Sequence, residues 1–207
     1  MMTKFLFWFQ VIMAWVYMVP QTRQILKGET GGLTLALWLM FMGYLLISLS
    51  LSILSYKEKK EKIRFYTVLI FAQWNIFILF LFLLGLNKIR WTNGDTVVSI
   101  SVAILSIITI CYYRSLKDPM ARGFLAMWCK GVPQLWLACV ICQANSSEGL
   151  PPLSLLASHA TMWSRFIQIY ISGRRDGWDR PTKGLLLGES SNVATWTIVT
   201  IVWFLMR

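Results

Sequence analysis

The sequence predicts an all-α membrane protein of seven transmembrane helices, built as two parallel three-helix repeats joined by a linker helix. Three observations carry this expectation. The first is composition: 57% of the 207 residues are hydrophobic, with 20 basic and 9 acidic side chains and a mean hydropathy of +0.58, too apolar for an ordinary soluble domain. The second is the recurrence of long apolar runs between short polar stretches. Seven spans of about 20 residues take up about 140 positions and leave about 67 for loops and termini, so no self-standing globular domain is expected. The third is an internal repeat, set out below.

The helices follow in order. Residues 5–19 form an apolar run after Lys4, as in a signal peptide, but no small-residue cleavage site follows. The run meets Pro20-Gln21 and continues through Ile25-Leu26, so helix one is expected to bend near its end before a loop at 27–32. Helix two spans 33–56 and stops at the charge cluster 57–64. Helix three is 65–86, followed by a polar loop at 87–95 with Asn93-Gly94 as its turn signal. Helix four, 96–113, has no charge and no aromatic before Tyr112, which suits a spacer packed among neighbours. Helix five, 119–143, is interrupted by Lys130 and by Pro133-Gln134; helix six, 152–172, and helix seven, 185–206, complete the set. The units are 1–86, the linker 87–118, and 119–207.

A formal net charge of +11 in a soluble protein would point to nucleic acid; on a polytopic chain it sets orientation, and no nucleic-acid partner is expected. The N-terminus and the loops on its side carry 13 Lys and Arg, against 5 on the other side, Arg207 included. That bias places the N-terminus in the cytosol. Cys111, Cys129, Cys139 and Cys142 all fall in apolar segments, which argues against a disulfide framework.

Pro-Gln occurs at 20–21 and at 133–134, each late in an odd-numbered helix. Gly32 precedes Asn75 by 43 residues and Gly149 precedes Asn192 by the same 43. An odd linker between two three-helix units keeps them parallel, so equivalent polar groups meet at an axis along the membrane normal. These features resemble the PQ-loop superfamily, which includes the SWEET sugar facilitators and cystinosin-like amino-acid exporters. The resemblance covers nearly the whole chain and rests on both Pro-Gln pairs, the 27–34 segment, the 3+1+3 plan and the two asparagines. It implies prolines acting as hinges for alternating access, and substrate contact by Asn75 and Asn192. Lys130, three residues before Pro133, is similar to the Lys-x-x-Pro-Gln of cystinosin-like members, as is the loop 179–183. The family habit of an N-terminus away from the cytosol is opposite to the charge count.

Residue chemistry supplies the candidates. An amide in hydrocarbon costs several kcal/mol, so Asn75 and Asn192 are expected to face a cavity or to glue helices together. Glu189, Asn192 and Trp196 form one stripe; Glu189 is either a proton carrier or an interfacial cap of helix seven. Ser154, Ser158, Thr161 and Arg165 form another, beside His159, the second proton-coupling candidate. Lys130, within an apolar helix, needs an anionic or carbonyl partner. Trp38, Trp74 and Trp196 are candidates for a substrate wall, with Trp8, Trp91, Trp178 and Trp203 as interfacial belt. Gln21 and Gln134 are expected to bond backbone freed by the hinge prolines. Metal, phosphate-loop and nucleophile motifs are absent, so neither an enzyme nor a cofactor is expected.

The expected function is transport of a small polar solute across the lipid bilayer, an amino acid slightly ahead of a sugar. The rival readings are a peptide-binding receptor on the same scaffold, as in KDEL receptors, and an accessory protein without a ligand.

Overall fold

The computed structural model describes residues 2–206; Arg207, counted above, lies outside them. Seven helices follow one another: α1 (Met2–Lys27), α2 (Leu35–Glu58), α3 (Lys62–Gly85), α4 (Asn93–Tyr113), α5 (Pro119–Ala144), α6 (Pro152–Asp176) and α7 (Arg180–Leu205). All but α6 are long and apolar enough to cross a membrane, and there is no strand among the described residues. Such a chain is a multi-pass membrane protein by length and composition.

Helices α4 and α7 begin earlier than the sequence suggested, because side-chain caps start them. The Asp179 carboxylate accepts from the Thr182 N–H at 2.7 Å, and Pro181 occupies the first turn, where its missing N–H has no partner to lose. Thus 180–183 is the first turn of α7 and not a loop. Asn93-Gly94 is likewise helical. Thr92 and Asp95 form a reciprocal capping box at the start of α4, and Asp95 also accepts from the Thr34 hydroxyl at the start of α2. Asp118 caps α5 by accepting from the Met120 N–H at 2.9 Å. Between α2 and α3, and between α6 and α7, only 59–61 and 177–179 remain outside helices. Pro20 and Pro133 lie inside continuous helices.

The principal neighbours are α5 with α7, α2 with α3, α1 with α6 and α2 with α5. Glycines permit the tightest of these approaches. A Cβ on Gly123 of α5 would stand 2.7 Å from the Gly184 Cα of α7, a separation no side chain tolerates. Contrary to the sequence expectation, α4 is peripheral: it packs on α5 and α2 and leaves Val97, Ile100, Ile104, Ile107 and Ile108 exposed.

Helix α6 is amphipathic with its polar side inward. Ser154, Thr161, Ser164, Arg165 and Gln168 are buried, whereas Leu153, Leu156, Trp163, Ile167 and Tyr170 face out. A helix with that pattern presents hydrocarbon to its surroundings while carrying polar groups to the centre of the bundle.

Candidate functional site

The centre of the bundle holds a polar network drawn from four helices. Glu189 lies on α7 nine residues after its start and is wholly buried at 0% exposure. That position removes the interfacial-cap reading. Its Oε1 accepts from Arg165 Nη2 of α6 at 3.0 Å and from Asn192 Nδ2 at 3.0 Å; Oε2 accepts from the Tyr44 hydroxyl of α2. Asn192, one turn on, accepts at Oδ1 from Gln134 Nε2 of α5 at 3.1 Å, and Gln134 Oε1 accepts from the Thr195 hydroxyl. Spacings of three along α7 place all three groups on one face.

Two basic side chains accompany this single carboxylate. Arg165 is 3% exposed. Its guanidinium carbon lies 5.0 Å from the Phe71 ring centroid, and its Nε and Nη1 have no partner. Lys130 is 4% exposed, with Nζ 2.8 Å from the Phe41 ring centroid and 5.4 Å and 6.0 Å from those of Tyr44 and Trp196. Among the described residues the Lys130 ammonium has no hydrogen bond or ion pair. A ring face attracts a cation but does not replace the hydration it has lost. The cluster therefore sets two basic groups against one carboxylate, and the Lys130 amine has no anion beside it.

A cavity of about 30 Å³ adjoins the cluster, room for a water or two. Lys130, Ser158, Thr161, Asn192, Trp74 and Trp196, all singled out in the sequence, line it, together with Tyr17, Phe41, Gln134 and Arg165. Asn75 is not in this lining. Its Nδ2 donates to the Phe71 carbonyl of its own helix at 2.8 Å, because the roughly 100° turn per residue aims Trp74 inward and its neighbour aside. Trp38 is also apart from the lining, buried against Gly85. His159 bonds Thr200 at 2.6 Å outside the lining.

Neither glutamine of the Pro-Gln pairs bonds backbone freed by its proline. Gln134 bridges to α7 as described, and Gln21 donates to the Gly149 carbonyl at 2.8 Å. Of the expected belt, Trp8 and Trp91 are exposed, but Trp203 is buried and donates to the Leu150 carbonyl at 3.0 Å. Tyr44 and Phe41 went unremarked in the sequence. A phenol in the middle of an apolar helix was the available signal for Tyr44, since a buried hydroxyl requires a partner.

Both ends of the bundle are closed over this centre. At the basic end Arg64 is buried; it donates to Asp179, to the Ser55 carbonyl at 3.0 Å and to the Ser55 hydroxyl at 2.7 Å. Ser55 and Thr182 share a hydrogen bond at 3.1 Å. Gln168 donates to Thr67 at 2.8 Å and accepts from Gln10 at 2.6 Å. Burial alone would raise the Asp179 pKa, but hydrogen bonds from Thr182 and Arg64 and the guanidinium charge outweigh it and hold it below the ordinary carboxylate value. The opposite end closes through backbone: the Gly149 N–H donates to the Gly31 carbonyl at 2.8 Å, beside Gln21 and Trp203. No protein-family model, curated protein or solved structure matches the chain.

Proposed function

We propose that the chain is a PQ-loop-type transporter that moves a small polar solute across a membrane by alternating access. One observation carries the reading: a buried polar network in which Lys130 has no anionic partner surrounds a small cavity in mid-bundle and is closed at both ends. Burying such charges is costly unless something compensates them, and a solute that binds there supplies the compensation. The end closures differ in kind, ionic at one end, and hydrogen bonds to loop carbonyls at the other, so one can open while the other holds.

Matched neighbours support the repeat. The packing of α1 on α6 is answered by α5 on α2, that of α1 on α3 by α5 on α7, and that of α2 on α3 by α6 on α7. The inward polar face of α6 supports its counting as the seventh span. The N-terminus lies in the cytosol on this reading, from the 13 to 5 distribution of basic residues. Lys130, Arg165, Asn192, Trp74 and Trp196 contact solute, Glu189 is the proton-coupling candidate, and Pro20 and Pro133 are the hinges. The reading assigns no enzymatic step. Its test is counterflow in proteoliposomes with amino acids first and sugars second: internal unlabelled solute should drive uptake of the labelled one, and its absence across both panels counts against transport of either class.

A further inference from the structure

The unpaired polar atoms around the central cavity share one property: they donate. Arg165 Nε and Nη1 and the indole nitrogens of Trp74 and Trp196 are buried without a partner, and the Lys130 ammonium faces rings alone. Acceptors are spent or weak. Both oxygens of Glu189 are occupied by Tyr44, Arg165 and Asn192. Asn192 and Gln134 each accept from a neighbour. Ser158 and Thr161 give their protons to the Leu155 and Ala157 carbonyls at 2.9 Å and 2.8 Å, which leaves hydroxyl lone pairs as neutral acceptors.

A ligand that fits this set brings negative charge and acceptor oxygens. A zwitterion's ammonium would have no free carboxylate to meet it. A neutral sugar would leave Lys130 without an anionic partner. We propose that the cavity, widened beyond the water-sized space of this closed form, takes a small organic carboxylate that carries no ammonium group, held between Lys130 and Arg165, with its carbon skeleton against Trp74 and Trp196. Carboxylate oxygens accept from guanidinium and ammonium donors in short, charge-assisted bonds, and the ligand supplies the anion that Lys130 lacks. Ser158 and Thr161 are placed to receive a hydroxyl proton from such a ligand. This inference rests on the cavity being the solute site of the proposed transporter, and it departs from both solute classes the sequence favoured.

Matched probes test it on the purified full chain in detergent, by thermal melting and by tryptophan fluorescence at pH 7.5. Lactate, alanine and lactamide share a three-carbon skeleton and differ in charge; acetate and succinate extend the anion set, and chloride is the inorganic control. Lactate or one of the other two carboxylates is expected to raise the melting temperature saturably and to bind at least ~10-fold more tightly than alanine or lactamide, a gap of about 1.4 kcal/mol. Lys130→Met is expected to weaken that binding by at least ~10-fold, with Arg165→Lys as a second variant that keeps the charge but loses the fork. Alanine or lactamide binding as tightly as the carboxylates, chloride stabilising as much, no response to any of the three carboxylates, or unchanged carboxylate binding in folded Lys130→Met would overturn the inference. Carboxylate binding without counterflow would retain it and count against transport, whereas counterflow of a sugar or zwitterion without carboxylate binding would do the reverse.

Discussion

Glu189 anchors the centre because three donors converge on a carboxylate with no access to water. Removing its charge leaves Arg165 and Lys130 buried without a counter-ion. Glu189→Gln is therefore expected to destabilise the fold by about 3–5 kcal/mol in reversible unfolding from mixed micelles, and adding Arg165→Met should recover much of the loss. The two asparagines part company. Asn192→Ala strands the Gln134 amide and is expected to weaken carboxylate binding by about 1–3 kcal/mol, whereas Asn75→Ala, bonded within its own helix, should alter it by less than about 0.5 kcal/mol; equal losses in a titration of both variants would contradict the geometry. Asp179 sets an acid limit. Because its pKa is lowered in the folded state, its contribution is present above the unfolded value of about 3.9 and is lost as pH falls below it. Melting followed from pH 7 down to 3 should show a fall that Asp179→Asn largely removes. At this scale Lys130 and Asn192 were legible, since a polar group in an apolar run must face inward. Asn75 was not, because a count of residues does not fix helix rotation to within one position.

Elements were readable wherever apolar length alone decided them. Seven spans were expected from the apolar runs, and seven helices follow in that order, six of them long and apolar enough to cross a membrane. Their ends were less legible, because caps such as Asp179 and the Thr92–Asp95 box draw charged residues into first turns. Helix α6 was marked by its polar stripe, but the apolar outer face that completes its meaning depends on knowing what surrounds it. The crossing of α5 and α7 sets a test of packing. Gly123→Ala pushes a methyl group against Gly184 backbone and is expected to cost about 1–3 kcal/mol. Gly43→Ala, whose methyl would meet Cys129 Sγ at 3.5 Å, should be nearly neutral in the same melting assay. The hinge proposal belongs here too: Pro20→Ala and Pro133→Ala restore a helical hydrogen bond and should slow exchange more than they weaken binding.

The whole molecule is a bundle closed at two ends around a buried polar network in which Lys130 lacks an anionic partner. Its basic end gathers the N-terminus of α1 and the turns at 59–61, 114–118 and 177–179, and on the proposed orientation this end faces the cytosol, testable by thiol-reagent access to a cysteine introduced at either end in sealed cells. Alternating access requires the two closures to exchange, with solute bound or released at the centre. Counterflow measures that exchange most directly. Liposomes holding the full chain and preloaded with unlabelled solute from the carboxylate, amino-acid or sugar panel are exposed to a trace of the same labelled solute. The account predicts transient accumulation above the level in empty liposomes for a carboxylate, and its loss with Lys130→Met. Uptake indistinguishable from empty liposomes for every panel, by protein that is folded and inserted, would contradict it.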